Sequence, residues 1–198
     1  MKKVLILGAG MVVKPIAHHL LNNGVGITIA TRTQSKADEI IAGHPNGTTR
    51  AWNSNDEEAL DRMVAEHDLT VSLLPYTHHV MVAKHCIKHR KDMVTTSYEQ
   101  PEMRALDAMA KDAGIIILNE LGLDPGIDHM SAMRIIDHIH RNGGQVDEFY
   151  SLCGALVAPE VEKNPFGYKF TWAPKGVVMA GNNQARYMIN GKVFEIQT

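Results

Sequence analysis

Val4-Leu5-Ile6-Leu7-Gly8-Ala9-Gly10-Met11-Val12-Val13 is the stretch whose reading decides the fold of this 198-residue chain. Four consecutive apolar residues form a strand suited to burial on both faces, which a parallel sheet covered by helices provides. Gly8 permits a tight turn directly after the strand. Gly10 lets the backbone approach a pyrophosphate, which then rests on a helix N-terminus where free N–H groups and the dipole favour an anion. Gly-x-Gly alone is a weak signal, but between a strand and a helix it predicts a dinucleotide site. Val13 stands where the fingerprint has a third glycine, so helix and strand are expected to approach less closely.

Outward from that loop the first 120 residues keep one rhythm. Ile27–Ala30, Leu69–Leu74 and Ile115–Leu118 are bounded apolar runs of strand length, and Asp92–Thr95 is a weaker candidate. Between them lie helical patterns. Asn55 with Glu58 three residues on forms a capping box, and Ser35 caps a helix that stops at Gly43. Pro101 fits a first helical turn, with Met103, Leu106 and Met109 in step and Gly114 as terminator. Strands alternating with helices imply right-handed crossovers and an α/β, doubly wound parallel sheet.

After Leu118 the rhythm changes. Asn119–Asp128 is rich in turn formers, Asp128 caps a helix to about His140, and Gly143-Gly144 ends it. A strand is expected over Val146–Cys153, followed by an irregular stretch with Pro159, Pro165 and Pro174. The boundary falls near residue 120, between a doubly wound domain over 1–120 and a second part over 121–198. The second part is short for an independent domain and reads as truncated.

Composition narrows the function classes. Lys and Arg number 20 against 22 Asp and Glu, a net charge of -2 that removes the electrostatic footprint of a nucleic-acid binder. No apolar run approaches the ~20 residues a membrane helix needs. Two cysteines, Cys86 and Cys153, are too few for a disulfide framework and fit a reducing compartment. Met1-Lys2-Lys3 before an apolar run imitates a signal peptide. Gly8 and Gly10 interrupt that run, Lys14-Pro15 end it and no small-x-small site follows, so a cytoplasmic location is expected.

The end of the second strand selects the cofactor. An NAD site places Asp or Glu about 20 residues past the glycines, on the ribose 2′-OH. This chain has Ala30-Thr31-Arg32-Thr33 there, with Ser35 and Lys36 behind and no acid. A guanidinium at Arg32 meets a 2′-phosphate, and the hydroxyls add donors, so the expected cofactor is NADP.

Other residues at carboxyl ends of strands face the ligand crevice of such a fold. Leu74-Pro75 closes the fourth strand, and the hydroxyls of Thr95-Thr96-Ser97-Tyr98 follow the fifth. Tyr98 is either a proton donor or a tyrosine that satisfies one hydrogen bond. Pro125-Gly126 aims Asp124 at the crevice, unless Asp124 is simply an Asx-turn residue. The 11 histidines suggest a metal, but His78-His79 point to different helix faces and His85 and His89 lack nearby acid or thiolate ligands in sequence. They read as exposed helix histidines, with no metal expected. Met130, Met133 and Ile136 read as core positions of their helix.

Gly8–Val12, Ser72-Leu73-Leu74-Pro75-Tyr76-Thr77, Val94–Tyr98, Asn119–His129 and Asn164-Pro165-Phe166-Gly167-Tyr168-Lys169-Phe170-Thr171-Trp172 together resemble the saccharopine reductase family, the NADP-dependent, L-glutamate-forming saccharopine dehydrogenases. The likeness runs almost from end to end, and its two late segments are far more specific than the glycine loop.

The resemblance implies a Rossmann domain over 1–120, the start of an α+β substrate and dimerisation domain over 121–198, and a homodimer. It also implies an oxidoreductase that interconverts saccharopine with L-glutamate and α-aminoadipate semialdehyde in lysine metabolism. Cofactor contacts then fall on Ala9, Gly10, Met11 and Val12, on Thr31, Arg32 and Thr33, on Asn53 and Ser54, and on Leu74, Pro75, Thr96, Leu123, Asp124, Pro125 and Trp172. Ser97 and Tyr98 would touch the amino-acid substrate. Asn53 stands where the family pattern has an aspartate, and members run to more than twice this length. Tyr98, Asp124 and Cys153 are the ionisable candidates for acid–base work on the imine. Two alternatives stay open: an imine reductase like carboxynorspermidine dehydrogenase, and an inactive NADP-binding or dimerisation fragment.

Overall fold

The structure is a computed structural model describing residues 1–154, 157–158, 160–161, 164–182 and 184–197. Pro159 lies outside the described residues. The chain divides into two compact units, Met1–Cys153 and Gly154–Thr198.

The first unit alternates as the apolar runs predict: β1 (Lys3–Leu7), α1 (Val13–Asn22), β2 (Gly26–Thr31), α2 (Gln34–Ile41), β3 (Gly47–Ala51), α3 (Glu57–Glu66), β4 (Leu69–Ser72), α4 (His79–His89) and β5 (Asp92–Thr95). The short helices α5 (Pro101–Arg104) and α6 (Asp107–Ala113), the strand β6 (Ile117–Leu118) and the long helix α7 (Ile127–Arg141) complete it. The six strands pair in the order β3-β2-β1-β4-β5-β6, all parallel. That order reverses between β1 and β4, the switch point at which such sheets open a ligand crevice.

Alternation along β1 builds both layers. Leu5 and Leu7 enter one core with Leu60, Val64, Val82, Ala83 and Met93; Val4 and Ile6 enter the other with Val13, Ala17, Leu21, Ile27 and Ile29. Val13, in the third-glycine position, is fully buried and fills the space between α1 and the sheet with its own side chain.

Several expectations are corrected in detail. β3 has no apolar run, because it is an edge strand whose exposed pattern is carried by β-branched residues; Thr48 bonds to Thr28 of β2 through their hydroxyls at 2.9 Å. The expected strand over Leu69–Leu74 stops at Ser72, and that over Ile115–Leu118 pairs only at Ile117 and Leu118. Asp56, not Asn55, caps α3, accepting from Ala59 N–H at 2.9 Å. Ser35 lies inside α2, which starts at Gln34 and ends through left-handed Ala42. Asp128 sits in the first turn of α7 and accepts from Gly126 N–H at 2.9 Å, rather than preceding the helix. Pro101 and Gly114, the latter at φ 71°, hold the positions expected of them, but the helix between them breaks at Ala105-Leu106, and of the three residues expected in step Met103 and Leu106 are buried while Met109 is exposed.

Residues 146–153 form no strand. α7 buries none of its residues, with Met130 and Met133 more than half exposed, so the expected core positions are an apolar stripe left uncovered. In the second unit, α8 (Pro174–Ala180) precedes an antiparallel hairpin of β7 (Ala185–Ile189) and β8 (Lys192–Ile196). Asn190 and Gly191, both with positive φ, make its two-residue turn. No described helix is long and apolar enough to cross a membrane.

Candidate functional site

Nearly every residue singled out above follows the carboxyl end of one of the six strands. Gly8–Val12 follow β1, Thr31–Thr33 close β2, Asn53-Ser54 follow β3, Leu74-Pro75 follow β4, Thr96–Tyr98 follow β5 and Leu123–Pro125 lie beyond β6. Trp172 belongs to the second unit, where its ring packs beside Gly176: a Cβ there would lie 2.6 Å from Trp172 Cζ3.

The turn after β1 is formed by backbone. Gly8 has φ 109°, donates to Ala30 O at 2.8 Å and comes so close to the segment after β4 that a Cβ would sit 3.2 Å from Leu73 O. A Cβ at Gly10 would meet nothing within 4 Å, so space for a ligand is open above it. Among the described residues the N–H groups of Ala9, Gly10, Met11 and Val12 have no backbone acceptor, and they gather at the start of α1. Unpaired donors around open space at a helix N-terminus fit a pyrophosphate. Arg32 is exposed and forms no ion pair among the described residues, which leaves its guanidinium free for a phosphate. The residues present therefore fit a dinucleotide bearing a 2′-phosphate.

Asn53 is held by its own loop: its Oδ1 accepts from Asn55 N–H at 3.2 Å and its carbonyl accepts from Asp56 N–H at 2.9 Å. Buried Trp52 braces that loop by donating from Nε1 to Asp56 O.

The other end of the edge is built by side chains. The loop after β6 folds back over β5: Leu121 N–H donates to Thr95 O, Glu120 N–H to Ser97 O, and Glu99 N–H to the Glu120 carboxylate. Gly122 packs against Thr96, and its N–H donates to Pro125 O at 2.9 Å. Gly126 is at φ 149°, and a Cβ there would lie 2.2 Å from Gly122 O. This turn, which includes a cis Asp124–Pro125 bond, brings Asp124 within 2.6 Å of the Tyr98 hydroxyl, which donates to it.

That bond, with further help from burial, pushes the Tyr98 pKa up to about 12. The Asp124 carboxyl also raises the pKa of the exposed Cys153 thiol. Tyr98 and Asp124 are therefore brought into contact from 26 residues apart, with phenol and thiol both kept protonated. Next to them Asp128 and His129 form a pair at 2.8 Å that raises the imidazole pKa.

Histidine 79 was legible only as one of many histidines, and the expectation that it is exposed is overturned. It is 2 % exposed, and its ring joins three hydroxyls: Nδ1 lies 3.0 Å from Ser72 Oγ, and Nε2 lies 2.9 Å from Thr95 Oγ1 and 2.8 Å from Ser97 Oγ. Burial pushes its pKa down to about 4, with adjacent His78 adding to the effect, so the ring is neutral at pH 7. His67 is also buried, bonded to Met63 O and Thr28 Oγ1, and burial lowers its pKa.

His85 and His89 are only partly exposed, and folding supplies the acid their surrounding sequence lacks. Asp61 Oδ1 lies 2.9 Å from His85, 2.8 Å from His89 and 2.8 Å from Lys88, contacts that drive its pKa far below the carboxylate range. Among the described residues no group of three or more His, Cys, Asp or Glu has metal-holding geometry. Cys86 is buried, and its thiol pKa is pushed up to about 12, which makes it inert packing.

A doubly wound parallel sheet, a positive-φ glycine turn open to ligand, and a free arginine after β2 define a Rossmann-type dinucleotide-binding protein. Residues 4–118 match the family described as Saccharopine dehydrogenase NADP binding domain, and residues 122–198 match Saccharopine dehydrogenase C-terminal domain. The chain belongs to the saccharopine dehydrogenase family and carries its NADP-binding domain.

Among similar proteins, saccharopine dehydrogenase [NADP(+), L-glutamate-forming] of Schizosaccharomyces pombe is 48 % identical over 197 residues, covering 99 % of this chain and 44 % of the relative. Mitochondrial alpha-aminoadipic semialdehyde synthase of Bos taurus is 41 % identical, covering 97 % of this chain and 21 % of the relative. The solved apo saccharopine dehydrogenase (L-Glu forming) of Saccharomyces cerevisiae superposes with a TM-score of 0.88 at 41 % identity, covering all of this chain and 44 % of that one. The chain thus spans less than half the length of these relatives.

Proposed function

We propose that this chain binds NADP and forms part of an oxidoreductase that interconverts saccharopine with L-glutamate and α-aminoadipate semialdehyde. The observation that carries the reading is the Tyr98–Asp124 hydrogen bond at the strand edge that also holds the glycine turn and Arg32, with Cys153 as the third ionisable candidate. Similarity over 99 % of the chain to an enzyme named for that reaction supports the substrate class. Bound NADP supplies a hydride acceptor at the nicotinamide C4.

Four unpaired N–H groups from Ala9 to Val12 hold the pyrophosphate, Arg32 with Thr31 and Thr33 holds the 2′-phosphate, and Asn53-Ser54 flank the adenosine. Leu74, Pro75, Thr96, Leu123 and Pro125 border the nicotinamide half, and Trp172 is a further cofactor contact in this reading. Ser97 and Tyr98 meet the substrate where it adjoins the nicotinamide. In the oxidative direction a hydride leaves a C–H next to the secondary amine, and the resulting imine takes up water and splits into amine and aldehyde. Asp124 receives the proton released from that water, while Tyr98 and Cys153, both protonated, supply donors.

The reading includes a homodimer, by likeness to the family, and a cytoplasmic location, which fits two free thiols. It treats residues 1–120 as the nucleotide domain and 121–198 as part of the substrate and dimerisation domain, in line with the two family matches.

The test is NADPH formation, followed by absorbance, when NADP and saccharopine are added to the purified chain. The reading predicts turnover that falls at least about tenfold in Tyr98→Phe and Asp124→Asn, each of which removes one proton-transfer group. NADPH bound without any turnover would favour a binding module, and turnover unchanged by both substitutions would end the acid–base assignment.

A further inference from the structure

Buried His79 has no part in the acid–base chemistry above, yet three of the hydroxyls at the crevice end of β4 and β5 converge on it. Ser72 is the last residue of β4, Thr95 the last of β5, and Ser97 lies two residues beyond. Ser72 and Thr95 are fully buried, while Ser97 is only partly buried and follows β5 at the edge where the second half of a dinucleotide lies in this topology. Ser97 N–H also donates to Thr95 Oγ1 at 3.3 Å, so the turn is tied to the imidazole by backbone and side chain together.

We infer that His79 is a positioning residue, whose imidazole holds the Thr95–Ser97 turn and aims the Ser97 hydroxyl at the nicotinamide half of the nucleotide site. This rests on the NADP reading above. A neutral imidazole has one donor and one acceptor, and here both nitrogens are engaged. Rotation of the Ser97 hydroxyl breaks its 2.8 Å bond to Nε2 of a ring that is itself 2 % exposed. The ring contacts the nucleotide only through Ser97, and its contribution is to present one hydroxyl in one direction.

Nitrogen placement gives the test its resolution. Glutamine carries its amide to roughly the position of Nε2 and so keeps a group for Thr95 and Ser97. Asparagine reaches only to Nδ1 and serves Ser72 alone, and phenylalanine keeps the ring volume with neither nitrogen. Two probes are titrated calorimetrically into the chain: NADPH, and adenosine 2′,5′-bisphosphate, which lacks the nicotinamide half.

The inference predicts that His79→Phe and His79→Asn weaken NADPH about tenfold, the scale of one lost hydrogen bond, while His79→Gln stays within about threefold. Adenosine 2′,5′-bisphosphate should bind all of them alike. Unchanged NADPH affinity in His79→Phe, or equal loss for both probes, overturns it.

If the variants do not fold, or if neither probe binds the unaltered chain and the NADP reading itself fails, imidazole nitrogen NMR decides the intramolecular claim. Ser97→Ala in the ligand-free chain should shift the Nε2 resonance of His79, and Ser151→Ala, on an exposed segment, should not. An unmoved Nε2 resonance in Ser97→Ala means that the ring does not hold Ser97.

Discussion

The two halves of the strand edge are built from different materials. On the β1–β2 side the candidate contacts are a backbone turn, four unpaired N–H groups and an arginine with no partner among the described residues. On the β4–β5 side they are side chains already bonded to one another, His79 to three hydroxyls and Tyr98 to Asp124. A phosphate needs donors left vacant for it, whereas proton transfer needs groups whose protonation is fixed before the substrate arrives. The first half waits for its ligand, and the second is organised in advance.

The comparison is broken most severely at Gly8. A side chain there faces φ 109° and Leu73 O at 3.2 Å, and a residue forced into so sparsely populated a conformation costs about 1–3 kcal/mol. Gly8→Val is expected to abolish binding of both NADPH and adenosine 2′,5′-bisphosphate by calorimetry. Because the clash falls on Leu73, next to Ser72, the Nδ1 resonance of His79 should move with it, while Nε2, bonded to Thr95 and Ser97, should stay in place.

The next largest effect is pH-dependent and belongs to the second half. His79 titrates near 6.5 when unfolded and near 4 when folded, so protons bind preferentially to the unfolded chain. Its contribution to stability is therefore complete above pH 6.5 and is lost as the pH falls toward 4, by about 3 kcal/mol in all. His67 acts in the same direction. Urea midpoints measured between pH 7.5 and pH 4.5 should fall steadily, and less so in His79→Gln. A flat profile would mean that the network is open to solvent.

Arg32→Ala sharpens the first half. Loss of a charge-assisted contact to a 2′-phosphate should reduce NADPH affinity about ten- to a hundredfold and leave NADH affinity nearly unchanged, as read by nucleotide fluorescence. Smallest of all is the Arg50–Glu66 pair at 2.8 Å, which lies outside both halves with about half of each side chain exposed. Arg50→Ala should change unfolding stability by less than about 1 kcal/mol.

The same contrast explains what could be read from the amino-acid order. Gly8, Gly10 and Arg32 are legible because their function depends on spacing along the chain from one strand to the next. The apolar runs of β1 and β2 are legible because a strand buried on both faces needs them, whereas β3, an edge strand of Gly47-Thr48-Thr49-Arg50-Ala51, has no such signal.

His79 was not legible, because a histidine on a helix has no local mark of burial, and its partners Ser72, Thr95 and Ser97 meet it only when β4, α4 and β5 pack. His85 and His89 likewise find Asp61 from a different helix. Asp124 and Tyr98 could be named from turn chemistry and strand ends, but the bond between them depends on the fold-back of residues 119–128. The hairpin at Asn190-Gly191 has a local signal of its own, a two-residue Asn-Gly turn between strands of alternating side chains.

The most direct test of the account is titration of the purified chain with NADPH and, separately, NADH, following heat or nucleotide fluorescence. Vacant N–H donors at the glycine turn and an unpaired Arg32 predict saturable binding of NADPH with at least a tenfold preference over NADH. Equal affinity for the two nucleotides, or no binding of either, would contradict it.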